Sequence, residues 1–266
     1  MSYGYDFRLT LFTKRADLAG GADAAGVDRI GPDLERIGKS KRQGATSGWV
    51  SDHGESDLAV VFRSVAPERR FVRCNPVHVG LEEEIDRLVT AGARTIMLPM
   101  FRTVDQARRF ADAVGGRART VLLVETRHAA ESVETLAALP GVDEIHIGLN
   151  DLHMDLGLSS HFELLVSDYL AKVCAKLLDS AIPFGVGGIG RAGDESLPVP
   201  PDLVYAQFPR LGASGALISR VYHNGDAALD WHTELGRTWA RLDYWAAQSA
   251  GALDEARREL AARIPS

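Results

Sequence analysis

A chain of 266 residues with 45% hydrophobic content can bury one sizeable core, and an eight-stranded α/β barrel routinely uses this length as a single domain, here 1–266. A formal charge of −6 argues against a nucleic-acid surface, and two cysteines far apart, Cys74 and Cys174, form neither a disulfide framework nor a zinc motif. No run approaches the ~20 apolar residues that span a bilayer, and the amino terminus has no leader pattern, so a soluble, uncleaved, cytoplasmic protein without membrane or nucleic-acid partners is expected.

In chain order, Phe7 to Thr13 alternates as a first strand, and Lys14 to Gly26 is a small-residue helix weakened by Gly20-Gly21. Val27 to Leu34 reads as a second strand, irregular at Gly31-Pro32, with Glu35 at its end. A long polar, glycine-containing loop follows, and loops of that length in compact domains are usually functional or disordered. Asp57 to Ala66 looks helical; Phe71 to Asn75 is a third strand; Leu81 to Ala91 is a helix whose acidic first turn suits its dipole. Thr95 to Pro99 is a fourth strand, Val104 to Val114 a helix and Thr120 to Val124 the fifth strand.

Ala130, Val133, Leu136 and Ala137 at helical spacing form the crossover to a sixth strand, Glu144 to Gly148. Phe162 to Ala181 reads as one long amphipathic helix, Pro183 to Gly187 as a seventh strand and Gly215 to Arg220 as the last. Eight strands alternating with helices is the sequence form of a (β/α)₈ TIM barrel; an open doubly wound sheet is the alternative. Residues 226–266 add a C-terminal helical extension, beginning with a helix over Asp226 to Gln248 that exposes Trp231, Trp239, Tyr244 and Trp245 for packing against the barrel or another subunit.

Two buried-looking strands end on acids: the apolar run Val121 to Val124 stops at Glu125, and Glu144 to Gly148 runs into Leu149-Asn150-Asp151. Carboxylates delivered to the carboxyl ends of neighbouring parallel strands can converge on one hard cation, magnesium or manganese. The bland alternative is that both acids cap the following helices or pair with surface cations such as Arg127. Other strand ends offer Glu35, Arg73 and Asn75, together with the glycine turn Gly185 to Gly190, where Gly188 could present backbone N–H to an anion.

This ordered set resembles the metal-dependent aldolase and citrate lyase beta subunit family, the 4-hydroxy-2-oxo-acid aldolases among them, within the phosphoenolpyruvate/pyruvate barrel superfamily. The resemblance is carried by Asp33-Leu34-Glu35 with Gly38-Lys39 and Arg42, by Val72-Arg73-Cys74-Asn75 and by Gly92 to Met100. Val124-Glu125-Thr126 and Gly141 to Leu152, closing on Leu156-Gly157, complete it, with Glu125 and Asp151 26 residues apart.

The resemblance implies that Glu125 and Asp151 hold Mg²⁺ or Mn²⁺, with a pyruvate- or oxaloacetate-type 2-oxo acid bound beside them. Arg73 would stabilise an enolate oxygen, Asn75, Asn150 and Gly188 would bind substrate, and Glu35 would order a metal-bound water or Arg73. A base for the substrate hydroxyl is sought in His53, with His128 as an alternative; His146, inside a strand, reads as a satisfied core histidine. The activity implied is carbon–carbon lyase or aldolase chemistry in a homo-oligomer. The acyl-CoA lyase branch would show a Gly-Lys segment before a His-Pro pair, and Phe208 to Tyr222 has neither, which favours a free oxo or hydroxy acid over a CoA thioester. A citramalyl- or malyl-CoA lyase or thioesterase, a phosphoenolpyruvate-type mutase or hydrolase and a non-catalytic assembly subunit remain the alternatives.

Overall fold

The computed structural model describes residues 2–37 and 53–264. Nine strands occur among these residues, with helices between all successive pairs but β7 and β8: β1 (Arg8–Phe12), β2 (Arg29–Gly31), β3 (Phe71–Arg73), β4 (Thr95–Leu98), β5 (Arg119–Val124), β6 (Glu144–Ile147), β7 (Phe184–Val186), β8 (Gly188–Ile189) and β9 (Gly215–Ile218). Every pairing is parallel, in two runs ordered β2-β1-β9-β8 and β3-β4-β5-β6-β7.

The two runs meet at two seams. At the first, bridges Ile30↔Arg70 and Asp33↔Arg73 tie β2 to β3, helped by Leu34 N–H donating to the Arg73 carbonyl at 2.9 Å. Pro32 has no N–H for a ladder, which is why β2 stops at Gly31 and the seam survives only as single bridges. At the second seam β7 passes through Gly187 into β8, so the two are one kinked stave, and β8 pairs with β9. Eight staves result, and the fold is the expected α/β barrel.

Strand periodicity sorts the side chains. Phe71, Met97, Val121 and Leu123 cluster with Phe12 and Leu217 in the barrel interior, while the intervening Leu122, Val124, Ile96 and Val72 join the core against the helices. The interior column of β5 therefore continues from Val121 and Leu123 to Glu125, and that of β3 from Phe71 to Arg73. At the amino-terminal end the same alternation buries Arg29 and Glu144, whose guanidinium and carboxylate meet through two bonds of 2.8 and 2.7 Å, joined by Arg8. Burial opposes the Glu144 charge, yet the two guanidiniums outweigh it and hold its pKa below the usual carboxylate range.

The helices match the expected rhythm with local differences. Val104–Val114 has the anticipated bounds because Thr103 and Gln106 form a capping box and Gly115, at φ 57°, ends it in the left-handed region. The β5–β6 crossover is two short helices, Arg127–Glu131 and Val133–Ala137, meeting at Ser132. The long helix expected over Phe162 to Ala181 is likewise split into His161–Leu165 and Asp168–Ser180, because the Ser167 hydroxyl caps the second by accepting from Leu170 N–H at 3.0 Å. The proline-rich break holds a helix, Pro201–Tyr205, with proline in its first turn.

The C-terminal extension is two helices, Trp231–Ala246 and Ala250–Arg263. Of the two partners expected for its aromatics, the barrel is the one that covers Trp231, and the helix exposes less than the spacing implied. Trp231 is 3% exposed, stacked on Tyr222 and lying where any Cβ on Gly21 would meet it at 2.8 Å. Trp239 packs edge-on to Tyr5 and the Trp245 indole N–H reaches Asp202, which leaves Tyr244, 47% exposed, as the outward ring. No described helix is long and apolar enough to cross a membrane.

Candidate functional site

Asp33, Glu35, Arg73 and Glu125 come together at the carboxyl ends of β2, β3 and β5, where barrel folds place their chemistry. Arg73 is the hub. Its Nε and Nη2 donate to the two Asp33 oxygens at 2.8 and 2.7 Å, its Nη2 lies 3.3 Å from Glu35 Oε2, and its Nη1 is 4.0 Å from Glu125 Oε1. The guanidinium also stacks over the Phe12 ring, 4.9 Å from the centroid. Burial works against its charge, but Asp33, Glu35 and Glu125 together push its pKa above the ordinary arginine value, so it stays a cation.

Glu125 is 4% exposed. Burial raises its pKa well above the usual carboxylate range, and the charges of Asp151 and Glu35 push the same way, against Arg73 and a 3.3 Å hydrogen bond from Met100 N–H. Gly148, last residue before the helix Leu149–Leu156, makes room for it: a Cβ there would lie 2.5 Å from Glu125 Cγ. Asp151 sits in the first turn of that helix, where the dipole favours an acid. The N-cap of this helix is Gly148, which has no side chain to offer, so Asp151 is not the capping residue of the bland alternative.

Three acids thus face one arginine, and a fourth, Asp151, acts on Glu125. The surplus negative charge and the all-oxygen donor set of Glu125 and Asp151 fit a hard divalent cation. Among the described residues no group of three or more His, Cys, Asp or Glu side chains is arranged to hold a metal ion, so the chain would supply two carboxylates and leave other positions for water and substrate oxygens.

The remaining sequence candidates fall into two groups. Asn150 and Gly188 are exposed at the mouth, on the first turn of Leu149–Leu156 and in β8. Asn75 and His53 instead have tasks within the protein. The Asn75 amide donates to Glu84 at 2.9 Å, while its oxygen accepts the N–H groups of Arg36 and Ile37 at 2.9 and 3.2 Å, which ties β3 to the start of the second loop. His53 Nδ1 accepts Asp33 N–H at 2.9 Å, and its carbonyl accepts from Arg36 Nη2 at 2.6 Å. His128 is exposed on a helix, and His146 is buried as expected, its Nε2 3.0 Å from the Gly187 carbonyl. Gly38, Lys39, Lys41 and Arg42 lie outside the described residues.

Sequence reading treated Asp33 only as part of a motif; the structure makes it the residue that fixes Arg73. The signal was available, since the alternation of Arg29 and Gly31 in β2, carried two residues past its end, puts Asp33 on the same face, where it bridges Arg73.

The fold is thus a parallel α/β barrel with an arginine held among convergent acids at the carboxyl ends of its strands, where barrel folds place their ligand sites. The HpcH/HpaI aldolase/citrate lyase family model matches residues 54–186, half of the chain, and the protein belongs to that family. A hydroxypyruvate/pyruvate aldolase of Agrobacterium fabrum is 27% identical over 142 residues, 40% of this chain and 52% of the relative. A second so named, from Sagittula stellata, is 26% identical over 167 residues, 50% of this chain and 64% of the relative, so each match spans less than two thirds of the relative's length. Among solved structures, a HpcH/HpaI family protein from Burkholderia cenocepacia superposes with a TM-score of 0.59 at 21% identity, covering 80% of this chain and 88% of that one. RipC from Yersinia pestis gives 0.60 at 18% identity over 94% and 99%. At these identities the likeness establishes the fold.

Proposed function

We propose that the protein is a divalent-metal-dependent carbon–carbon lyase of the aldolase type, forming or cleaving a bond next to the carbonyl of a pyruvate- or oxaloacetate-like 2-oxo acid. The observation that carries this reading is Arg73, a permanent cation locked by Asp33 and facing Glu125 at the barrel mouth. The aldolase names of the two sequence relatives, one a match over half of this chain, agree with it.

Bond cleavage beside a carbonyl leaves an enolate, and its oxygen needs a fixed positive partner. Arg73 meets that need without reorganising, because two hydrogen bonds to Asp33 and the Phe12 ring hold its plane. Mg²⁺ or Mn²⁺, held by Glu125 and Asp151, would supply Lewis-acid stabilisation of several kcal/mol to the same developing charge. Glu35, 3.3 Å from Arg73, balances the guanidinium on its other side. The first-turn N–H groups around Asn150, at the positive end of a helix without a side-chain cap, suit the substrate carboxylate. His53 is placed to brace Asp33 rather than to move a proton through Nδ1, since that nitrogen already accepts a backbone N–H.

The ligand is then a small oxo acid in a cytoplasmic homo-oligomer, with neither nucleic acid nor membrane as partner; the net charge of −6 supports the exclusion of nucleic acid. The test is pyruvate release from a series of 4-hydroxy-2-oxo acids with Mn²⁺, in wild type and Arg73→Lys. Metal-dependent release that falls at least about a hundredfold in the variant is expected. Turnover of a malyl- or citramalyl-CoA ester with no release from any oxo acid would overturn the assignment.

A further inference from the structure

The stave formed by β7 and β8 is bulged, and the bulge faces the site. Gly187, at φ 55°, donates its N–H to Ile147 of β6 at 2.8 Å while its carbonyl accepts Leu217 N–H of β9 at 3.1 Å. In a regular strand both groups of one residue serve the same neighbour; here they serve opposite ones, and the chain turns between them. The β9 ladder pairs Gly188 with Leu217 but draws its bonds from the residues flanking Gly188. The Gly188 N–H is therefore directed away from β9, to the side where β6 has ended at Ile147 and given way to the Asp151 helix. Gly188 is exposed there.

One side chain holds this bulge from beneath. His146, on the interior column of β6 and 3% exposed, places Nε2 3.0 Å from the Gly187 carbonyl, so that oxygen takes two donors. The carbonyl can only accept, which assigns the proton to Nε2. The imidazole fills the space beside Gly185, where any Cβ would overlap Nδ1, and Leu149 closes the other side, 2.5 Å from where a Cβ on Gly187 would stand. Burial lowers the His146 pKa to about 4, so the ring is neutral near pH 7 and keeps this donor.

We propose that His146 is a positioning residue: by donating Nε2–H to the Gly187 carbonyl it holds the bulge that presents the Gly188 N–H to the carboxylate of the 2-oxo acid. The proposal rests on the oxo-acid reading of the site and adds a donor from the β8 side to it. His146 itself touches no substrate; it acts through one backbone carbonyl.

The experiment uses the full chain labelled with ¹⁵N-glycine, Mg²⁺ and pyruvate. Gly188→Ala assigns the Gly188 resonance, because a Cβ there makes only ordinary contacts of 3.4 and 3.6 Å with Leu217 and Ser219. Pyruvate should shift the Gly188 amide saturably in wild type. His146→Leu should abolish that shift and raise KM for methyl-proton exchange about tenfold, with kcat within about threefold, and His146→Gln, which keeps a donor at the same reach, should restore both. A Gly188 amide that pyruvate leaves unmoved while wild type catalyses exchange overturns the role of His146 and leaves the enolate reading standing. A folded His146→Leu protein with wild-type KM overturns it too. Wild type that neither binds pyruvate nor exchanges its protons overturns the enolate reading, and this inference with it.

Discussion

Asp33 grips Arg73 through two parallel hydrogen bonds of 2.8 and 2.7 Å, and that pair aims the guanidinium at Glu125. Bidentate pairing fixes the plane of the guanidinium as well as its position. Asp33→Asn retains the side-chain shape but only one acceptor, freeing Arg73 to turn towards Glu35 and Glu125. Oxo-acid turnover should fall roughly tenfold to a hundredfold, chiefly in kcat, as expected for misplacing a stabilising group by about 1 Å. Steady-state kinetics beside a thermal melt check this; unchanged kcat in a folded variant would show that Asp33 is only structural support.

Gly148 is needed for space rather than for flexibility, since its Cβ would stand 2.5 Å from Glu125 Cγ. Gly148→Ala should displace the Glu125 carboxylate and weaken Mn²⁺ binding by roughly tenfold or more. Titration followed by the Mn²⁺ EPR signal reads this directly. Equal affinity in both proteins would exclude Glu125 from the metal site.

Burial lowers the His146 pKa from the ordinary 6.5 to about 4. The unfolded chain then binds the proton more readily, so stability is fully present above pH 6.5 and drains away as pH falls towards 4, by about 3 kcal/mol in all. Urea unfolding of wild type against His146→Gln from pH 7 to pH 4 isolates this contribution. Their stability difference should shift in favour of the variant as the solution is acidified, and a difference constant with pH would place the imidazole in a polar environment instead.

At the opposite end of the barrel, Glu144 pairs with both Arg29 and Arg8. Glu144→Gln leaves Arg29 buried without its partner and should cost roughly 3–5 kcal/mol of stability. The Mn²⁺ affinity of the folded protein should stay at wild-type level, since this cluster lies at the start of β6 and the acids of the site at strand ends. Denaturant melts and Mn²⁺ titration distinguish the two effects.

These relationships show what the sequence exposes and what it hides. Strands such as Thr95–Leu98 and Arg119–Val124 are legible because parallel strands buried on both faces are apolar runs of strand length, and the acid closing β5 stands out against four apolar neighbours. Breaks within helices are harder to see. Ser132 and Ser167 sit inside amphipathic patterns that continue across them: at Ser167 the hydroxyl's bond to Leu170 N–H begins a new helix, while at Ser132 the backbone alone leaves the helical region, at φ −100° and ψ 12°. The Asp33–Arg73 pair is hidden for a different reason: it joins adjacent strands 40 positions apart, and no local pattern says which of several acids an arginine will meet. Spacing on the terminal helix shows that its tryptophans need a partner but not whether the barrel or another subunit supplies it; Gly21 supplies the notch in the barrel that buries Trp231.

The most direct test of the enolate site is loss of the pyruvate methyl-proton signal in D₂O, with and without Mn²⁺, for wild type and Asp151→Asn. The expected result is exchange that requires the metal in wild type and falls at least about a hundredfold in the variant. Exchange at the same rate in both proteins, or without any divalent cation, would contradict a metal enolate held by Glu125 and Asp151 beside Arg73.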